Sequence, residues 1–184
     1  MFLRLVKESV PALLLLFFAL ACSGCEDKGG VKIGDTAPAI SSSDLQNNRV
    51  ELDQLKGNIV VIFFWTNSCC GDSIKELEPL YRRMQPKGLR VLAVNEIDSK
   101  KDVAAFAQAN QLSFTMLTDE HSTLLKRYRV MGFPTIFILD RHGIVREKIL
   151  GNIATAKLEK LIERQFAIQK QMEADYEKLR NRGR

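Results

Sequence analysis

Between Val60 and Ser73 the sequence changes its period, and two adjacent cysteines stand at the change. Val60-Val61-Ile62-Phe63-Phe64-Trp65 is a run of β-branched and aromatic apolar residues, the pattern of a strand buried on both faces. Past Ser73 the apolar residues Ile74, Leu77, Tyr81 and Met84 recur three or four apart, on one face of a helix. A strand with no polar face needs cover on both sides, so a layered α/β sheet is expected around it. Cys69 and Cys70 fall where the helix begins. Free backbone N–H groups and the positive end of the helix dipole favour a thiolate over a thiol there.

The rest of the chain repeats the alternation. Leu52 to Leu55 reads as a short helical turn stopped by Gly57, and a strand follows at 59–64. The helix carrying the cysteines is expected from about 71 to 84, with Pro79 kinking it by removing a backbone hydrogen bond. Leu89 to Val94 is a second buried strand. Ser99 is placed to cap a helix with Val103, Phe106 and Ala107 inward. A short strand at 114–117, a short helix at 122–128 and a strand at 135–139 come next. The turn Asp140-Arg141-His142-Gly143 then returns the chain as a hairpin over 144–150, and a closing helix starts near Thr155. Parallel crossovers followed by a late hairpin predict a mixed central β-sheet flanked by helices. From Leu158 apolar residues recur through Leu179, so the helix is expected to project beyond the fold after about residue 168 and end in the basic Arg180-Asn181-Arg182-Gly183-Arg184.

The N-terminal residues have the pattern of a targeting segment. Arg4 and Lys7 precede an apolar run from Val10 to Ala21, which suits a signal-peptide core better than a membrane span. Ala19-Leu20-Ala21-Cys22 resembles a bacterial lipobox, with Cys22 as the lipidation site and Cys25 as the alternative. Lipoprotein, uncleaved anchor and secreted protein all place the domain outside the cytoplasm, in the bacterial periplasm or cell envelope, where disulfides form. The chain divides into a signal at 1–25, a tether at 26–32, a folded domain at 33–167 and a helical basic extension at 168–184. The net charge of +5 comes from basic residues interleaved with acidic ones, which argues for a solvated surface and against a nucleic-acid partner. Two adjacent thiols could hold a soft metal, but His121 in a helix-start loop and His142 in a hairpin turn read as solvated surface residues, so no metal is expected, and no cofactor is expected either.

Four stretches together resemble a known family. They are Ile33-Gly34-Asp35-Thr36-Ala37-Pro38, Leu55-Lys56-Gly57 leading into Val60–Trp65, Tyr128-Arg129-Val130-Met131-Gly132-Phe133-Pro134-Thr135, and Phe137-Ile138-Leu139-Asp140-Arg141-His142-Gly143. The chain is similar to the thioredoxin-like thiol–disulfide oxidoreductases of the TlpA/ResA type, which share their opening with peroxiredoxins. The resemblance implies a thioredoxin fold with an N-terminal redoxin-type extension and a cis Pro134 facing the active cysteine. It also implies protein thiol or disulfide substrates, a membrane-linked reductant, and substrate contact through Trp65, Phe133 and Pro134.

The family's Cys-x-x-Cys is not intact. Without a gap, Cys69 takes the nucleophile's place and Asp72 stands where the second cysteine belongs; a slip by one makes Cys70-Gly71-Asp72-Ser73 a Cys-x-x-Ser. Cys70 is then the one nearby thiol. Adjacent Cα atoms lie about 3.8 Å apart, below the roughly 4.4–6.8 Å of ordinary disulfides, so a Cys69–Cys70 bond is expected to be easily reduced. Asp72 is expected to oppose a thiolate beside it, and Phe63 occupies the place of the thioredoxin buried acid. The residues therefore point to an oxidoreductase acting through Cys69, either as a monothiol or with Cys70. A thiol peroxidase, suggested by Thr66-x-x-Cys69, and a non-catalytic binding module on the same fold are the alternatives.

Overall fold

A computed structural model describes residues 30–182; Cys22 and Cys25, with the targeting segment, lie outside them. The central strand β3 (Ile59–Trp65) is buried at every position. It pairs in parallel with β4 (Leu89–Asn95) and antiparallel with β6 (Thr135–Leu139). β5 (Thr115–Thr118) extends the parallel side, and β7 (Val145–Leu150) closes the other as the hairpin partner of β6. The order is β5-β4-β3-β6-β7, a mixed sheet with the thioredoxin arrangement.

Alternation along the strands divides the core. Ile59, Val61, Phe63 and Trp65 face α1 (Asn67–Met84), α2 (Lys100–Ala109) and the first turns of α4 (Thr155–Arg182). Val60, Ile62 and Phe64 face α3 (Thr123–Tyr128) and the segment from Val31 to Leu52. On that second face Tyr128 packs at 5.3 Å from both Phe64 and Phe137, and its hydroxyl donates to the Pro38 carbonyl at 2.6 Å. The N-terminal segment is thereby laid along the sheet, with Gly34 N–H donating to Val145 and Ala37 N–H to Gly143.

Two local features differ from the sequence expectation. The helix carrying the cysteines starts at Asn67 rather than near residue 71, because Thr66 holds the extended N-cap position and a distant carboxylate, Asp98, accepts the Asn67 N–H at 2.8 Å. Pro79 lies inside this helix, which runs on to Met84. A small antiparallel pair, β1 (Ser41–Ser43) with β2 (Arg49–Glu51), flanks the Asp44–Asn48 turn in a stretch where the sequence pattern predicts no strand. Ser99 does cap α2, its hydroxyl accepting the Asp102 N–H. Gly57 sits at φ +89°, a left-handed conformation that favours glycine. The last helix runs unbroken to Arg182, and Ile168, Met172, Tyr176 and Leu179 are exposed along it.

The buried Glu78 ties α1 to the approach of β5. Its carboxylate accepts from the Ser113 N–H at 2.8 Å, the Ser113 hydroxyl at 2.6 Å and the Arg82 guanidinium at 2.6 Å. Burial opposes ionisation, but these donors outweigh it and hold the carboxyl below its usual range. Glu78→Ala strands the Ser113 N–H and is expected to cost about 1–3 kcal/mol in denaturant unfolding at neutral pH. A depressed folded-state pKa contributes stability above the unfolded carboxyl range that is lost as pH falls through the folded value. The gap between wild type and variant should therefore narrow on acidification.

Candidate functional site

Strand β3 ends at Trp65, and the chain turns through Thr66 directly into α1. The first intrahelical bond runs from the Cys70 N–H to the Thr66 carbonyl at 3.1 Å. The Asn67 N–H is engaged by Asp98, whose carboxylate also accepts from the Asn95 amide at 2.8 Å. Asn95 in turn accepts from the N–H groups of Ile97 and Asp98. A hydrogen-bonded loop after β4 thus fixes the helix start, and it places Cys69 in the first turn, where the dipole favours an anion.

The two cysteines are joined as a vicinal disulfide, with Cα atoms 3.8 Å apart. Their environments are opposite. Cys69 is exposed, whereas Cys70 is fully buried in the core beside Trp65 and Ile74. The Thr66 hydroxyl lies 3.2 Å from the Cys69 sulfur, as a donor to it, and 3.3 Å from the Ser68 hydroxyl. Gly71 permits the close approach of α1 to α2: a Cβ there would stand 3.3 Å from the Phe106 ring, which packs 5.2 Å from Trp65. Asp72 carries an ion pair with Lys75 at 2.6 Å, and its side chain is 93% exposed. The Lys75 hydrogen bond holds Asp72 below the usual carboxyl range. Paired and solvated, its charge opposes Cys69 less than its sequence position implies.

The other expected site residues occupy different depths. Trp65 is fully buried, so it supports the turn from beneath. Phe133 is half-buried and joined to Pro134 by a cis peptide. Pro134 is buried and lines a small crevice with Ser73 of α1 and Asn152, whose side chains hydrogen-bond at 3.0 Å. The proline loop and the first half of α1 are thereby brought together. Two large apolar side chains stand exposed on the flanking loops: Met131, 88% exposed, just before Phe133-Pro134, and Ile97, 72% exposed, after β4. Among the described residues no cluster of side chains has the makings of a metal site.

Sequence reasoning missed the acids around this edge. Glu96 and Asp119 follow β4 and β5 by one residue, and both are buried. Single acids after strands look like turn residues, and only their alignment across the sheet distinguishes them.

Residues 33–148 match the AhpC/TSA family. The thiol–disulfide oxidoreductase ResA of Geobacillus thermodenitrificans is 31% identical over 165 residues, covering 87% of this chain and 95% of that protein. The thioredoxin-like protein YneN of Bacillus subtilis is 31% identical over 139 residues, covering 73% of this chain and 81% of its own. Among solved structures, the thioredoxin domain of a thiol–disulfide oxidoreductase from Bacteroides vulgatus superposes with a TM-score of 0.65 at 25% identity, over 73% of this chain and 97% of that one. A thioredoxin-fold sheet, a redoxin-type N-terminal segment, a cis-proline loop and a cysteine at the first turn of α1 accompany these likenesses, and the chain belongs to the AhpC/TSA family, among its ResA-like thiol–disulfide oxidoreductases.

Proposed function

We propose that the chain exchanges disulfides with protein substrates outside the cytoplasm through Cys69, with Cys70 as its resolving thiol. The observation that carries this reading is the pairing of an exposed Cys69 with a buried Cys70 in the first turn of a helix. In the reduced protein the Cys69 thiolate attacks a substrate disulfide; one substrate sulfur leaves with the electron pair and the other stays bound to Cys69. Cys70 then attacks the Cys69 sulfur, expels the second substrate thiolate and closes the vicinal bond. Cys70 needs no access to solvent for this step, since its target is its own neighbour. A dithiol reductant, membrane-linked in this reading, returns two electrons and reopens the bond. Met131 and Ile97, on either side of the helix start, supply apolar surface suited to an unfolded or extended polypeptide. Phe133, held by the cis bond to Pro134, is the edge of that loop that faces it.

Reduction of a protein disulfide by the soluble domain, with dithiothreitol as electron source, checks the assignment. Cys69→Ser is expected to fall to the dithiothreitol background. Cys70→Ser is expected to accumulate a mixed disulfide on Cys69, visible by mass spectrometry, and to turn over at least about tenfold more slowly. Wild type no faster than background removes the reading.

The approach of the Thr66 hydroxyl to the Cys69 sulfur also favours a second activity, peroxide reduction at Cys69. Hydrogen peroxide consumption above that of alkylated protein is the expected sign of it; equal rates dismiss it.

Anchoring rests on the N-terminal sequence. Arg4, Lys7, the apolar run to Ala21 and Cys22 support export and lipidation. In a bacterial host the full chain is expected in the membrane fraction, with Cys22→Ala released in soluble form. An unchanged distribution would shift the anchor to Cys25 or to an uncleaved apolar segment.

A further inference from the structure

Helix α4 changes its surroundings along its length. It starts beside the cysteine helix, where the Thr155 hydroxyl donates to Glu76 of α1 at 3.0 Å. Leu158 and Ile162 are buried against the sheet. Phe166 then reaches Gly88, just before β4, and a Cβ there would stand 4.0 Å from its ring. The helix therefore crosses the sheet from the carboxyl end of β3 to its amino end and projects beyond it. Residues 168–182 extend about 21 Å, at 1.5 Å per residue. On this part Ile168, Met172, Tyr176 and Leu179 fall within about 80° of arc and continue the face that buries Leu158 and Ile162. Here that face has no core to cover, and the four side chains are 47%, 59%, 68% and 67% exposed.

Beneath the overhang lies a groove of about 820 Å³, with Ile168, Met172 and Tyr176 on its helix side and Ile59, Asp140 and His142 on its body side. A helix about 10 Å across has room there for roughly two turns. The stripe presents an apolar area on the order of 500 Å², the upper end of what a monomer exposes. Covered in two copies at once, with the flanking charges, it reaches the roughly 1,200 Å² of a specific interface. The charges beside the stripe select the occupant. Glu173 and Arg180 lie along one flank, Asp175 and Lys178 along the other. Let a second copy of the helix run antiparallel, with the two-fold axis level with Tyr176 and Glu177. Glu173 then meets Arg180 of the second copy and Asp175 meets Lys178 of the second copy, each pair occurring twice. Tyr176 packs on its own copy at the axis, and Met172 on Leu179 of the second copy. A parallel pair would instead set Glu173 beside Asp175 and Arg180 beside Lys178, like against like. Within one copy Asp175 and Lys178 are 3.6 Å apart and more than half exposed, and Glu173 is met by Arg141. Each carboxylate has two oxygens, so both acids can accept a further donor.

We propose that residues 168–182 are a self-association surface on which two copies of this chain pair antiparallel about Tyr176. The contact is isologous and closed: each stripe covers the other, and the last turn of each helix ends in the groove under the other's overhang. It does not rest on the thiol–disulfide reading. Because α4 begins beside α1 and projects from the opposite end of the sheet, the two Cys69 residues face outward at the far ends of the pair. Association therefore leaves both of them open.

The test is oxidative cross-linking of the full chain in membranes of a bacterial host, with Cys69→Ser and Cys70→Ser as the background. Tyr176→Cys is expected to yield a covalent dimer of this chain beyond what the same background gives without it. Ile168→Cys is expected to yield none, because antiparallel pairing holds its two copies about 24 Å apart along the axis. Equal dimer at both positions signals a parallel seam and overturns the proposal. So does Tyr176→Cys that stays monomeric or is captured by a different protein. Charge exchange gives a second reading that keeps the helix composition. Asp175→Lys should lower the Tyr176→Cys dimer about tenfold, since the two-fold repeats each reversed pair. Adding Lys178→Asp should restore it. A double variant as weak as Asp175→Lys alone, or a dimer indifferent to both changes, overturns the register. Neither readout draws on redox activity, because the vicinal cysteines are absent from every variant compared.

Discussion

Backbone pairing of β3 with β4 on one side and β6 on the other sets the position of every group that matters here. Because β3 is buried on both faces and its side chains fill two close-packed cores, a slip in register would exchange Val, Ile, Phe and Trp between the faces and mispack both. Its C-terminal end is therefore a fixed point. The parallel partner brings the Asn95–Asp98 loop against the start of α1, and that loop, not a residue within the helix, secures the first turn. The antiparallel partner brings Pro134 to the same end from the other side. The exposed sulfur sits where the two constraints meet.

Much of this was legible in the chain. The central strand was readable because apolar β-branched and aromatic residues follow one another without interruption. Ser99 and Gly57 were readable because capping and left-handed backbone select residue types locally. The start of α1 was misplaced because Asn67-Ser68-Cys69-Cys70-Gly71 are weak helix formers, and the carboxylate that compensates is 31 residues away. The β1–β2 pair was missed because Ser41-Ser42-Ser43 has no apolar alternation. Glu96 and Asp119 were missed for a deeper reason: each acquires its meaning from the one beside it in the sheet, and adjacency across strands is not written along the sequence.

The electrostatics of the site also differ from what its spacing suggests. Read linearly, Asp72 is the acid nearest the reactive sulfur. In space its charge is met by Lys75 and by solvent. Glu96 and Asp119, by contrast, are withdrawn from water at the end of the sheet, where a charge acts far more strongly on its neighbours than across a hydrated surface. Burial, more than distance along the chain, decides which carboxylate is felt.

Val31 is buried, and its carbonyl accepts from Lys148 Nζ on β7 at 3.0 Å, with the Lys148 ammonium also over the Phe137 ring. The folded body thus takes hold of the chain at that residue. For a chain held by lipid at Cys22, eight residues separate anchor from body, and the nine Cα–Cα steps between Cys22 and Val31 span about 30 Å at roughly 3.3–3.6 Å each. The oxidisable sulfur would then patrol a thin layer over the bilayer, not the full volume beyond it. Its partners would be selected first by height above the membrane and only afterwards by sequence, and their encounter rate would follow surface density.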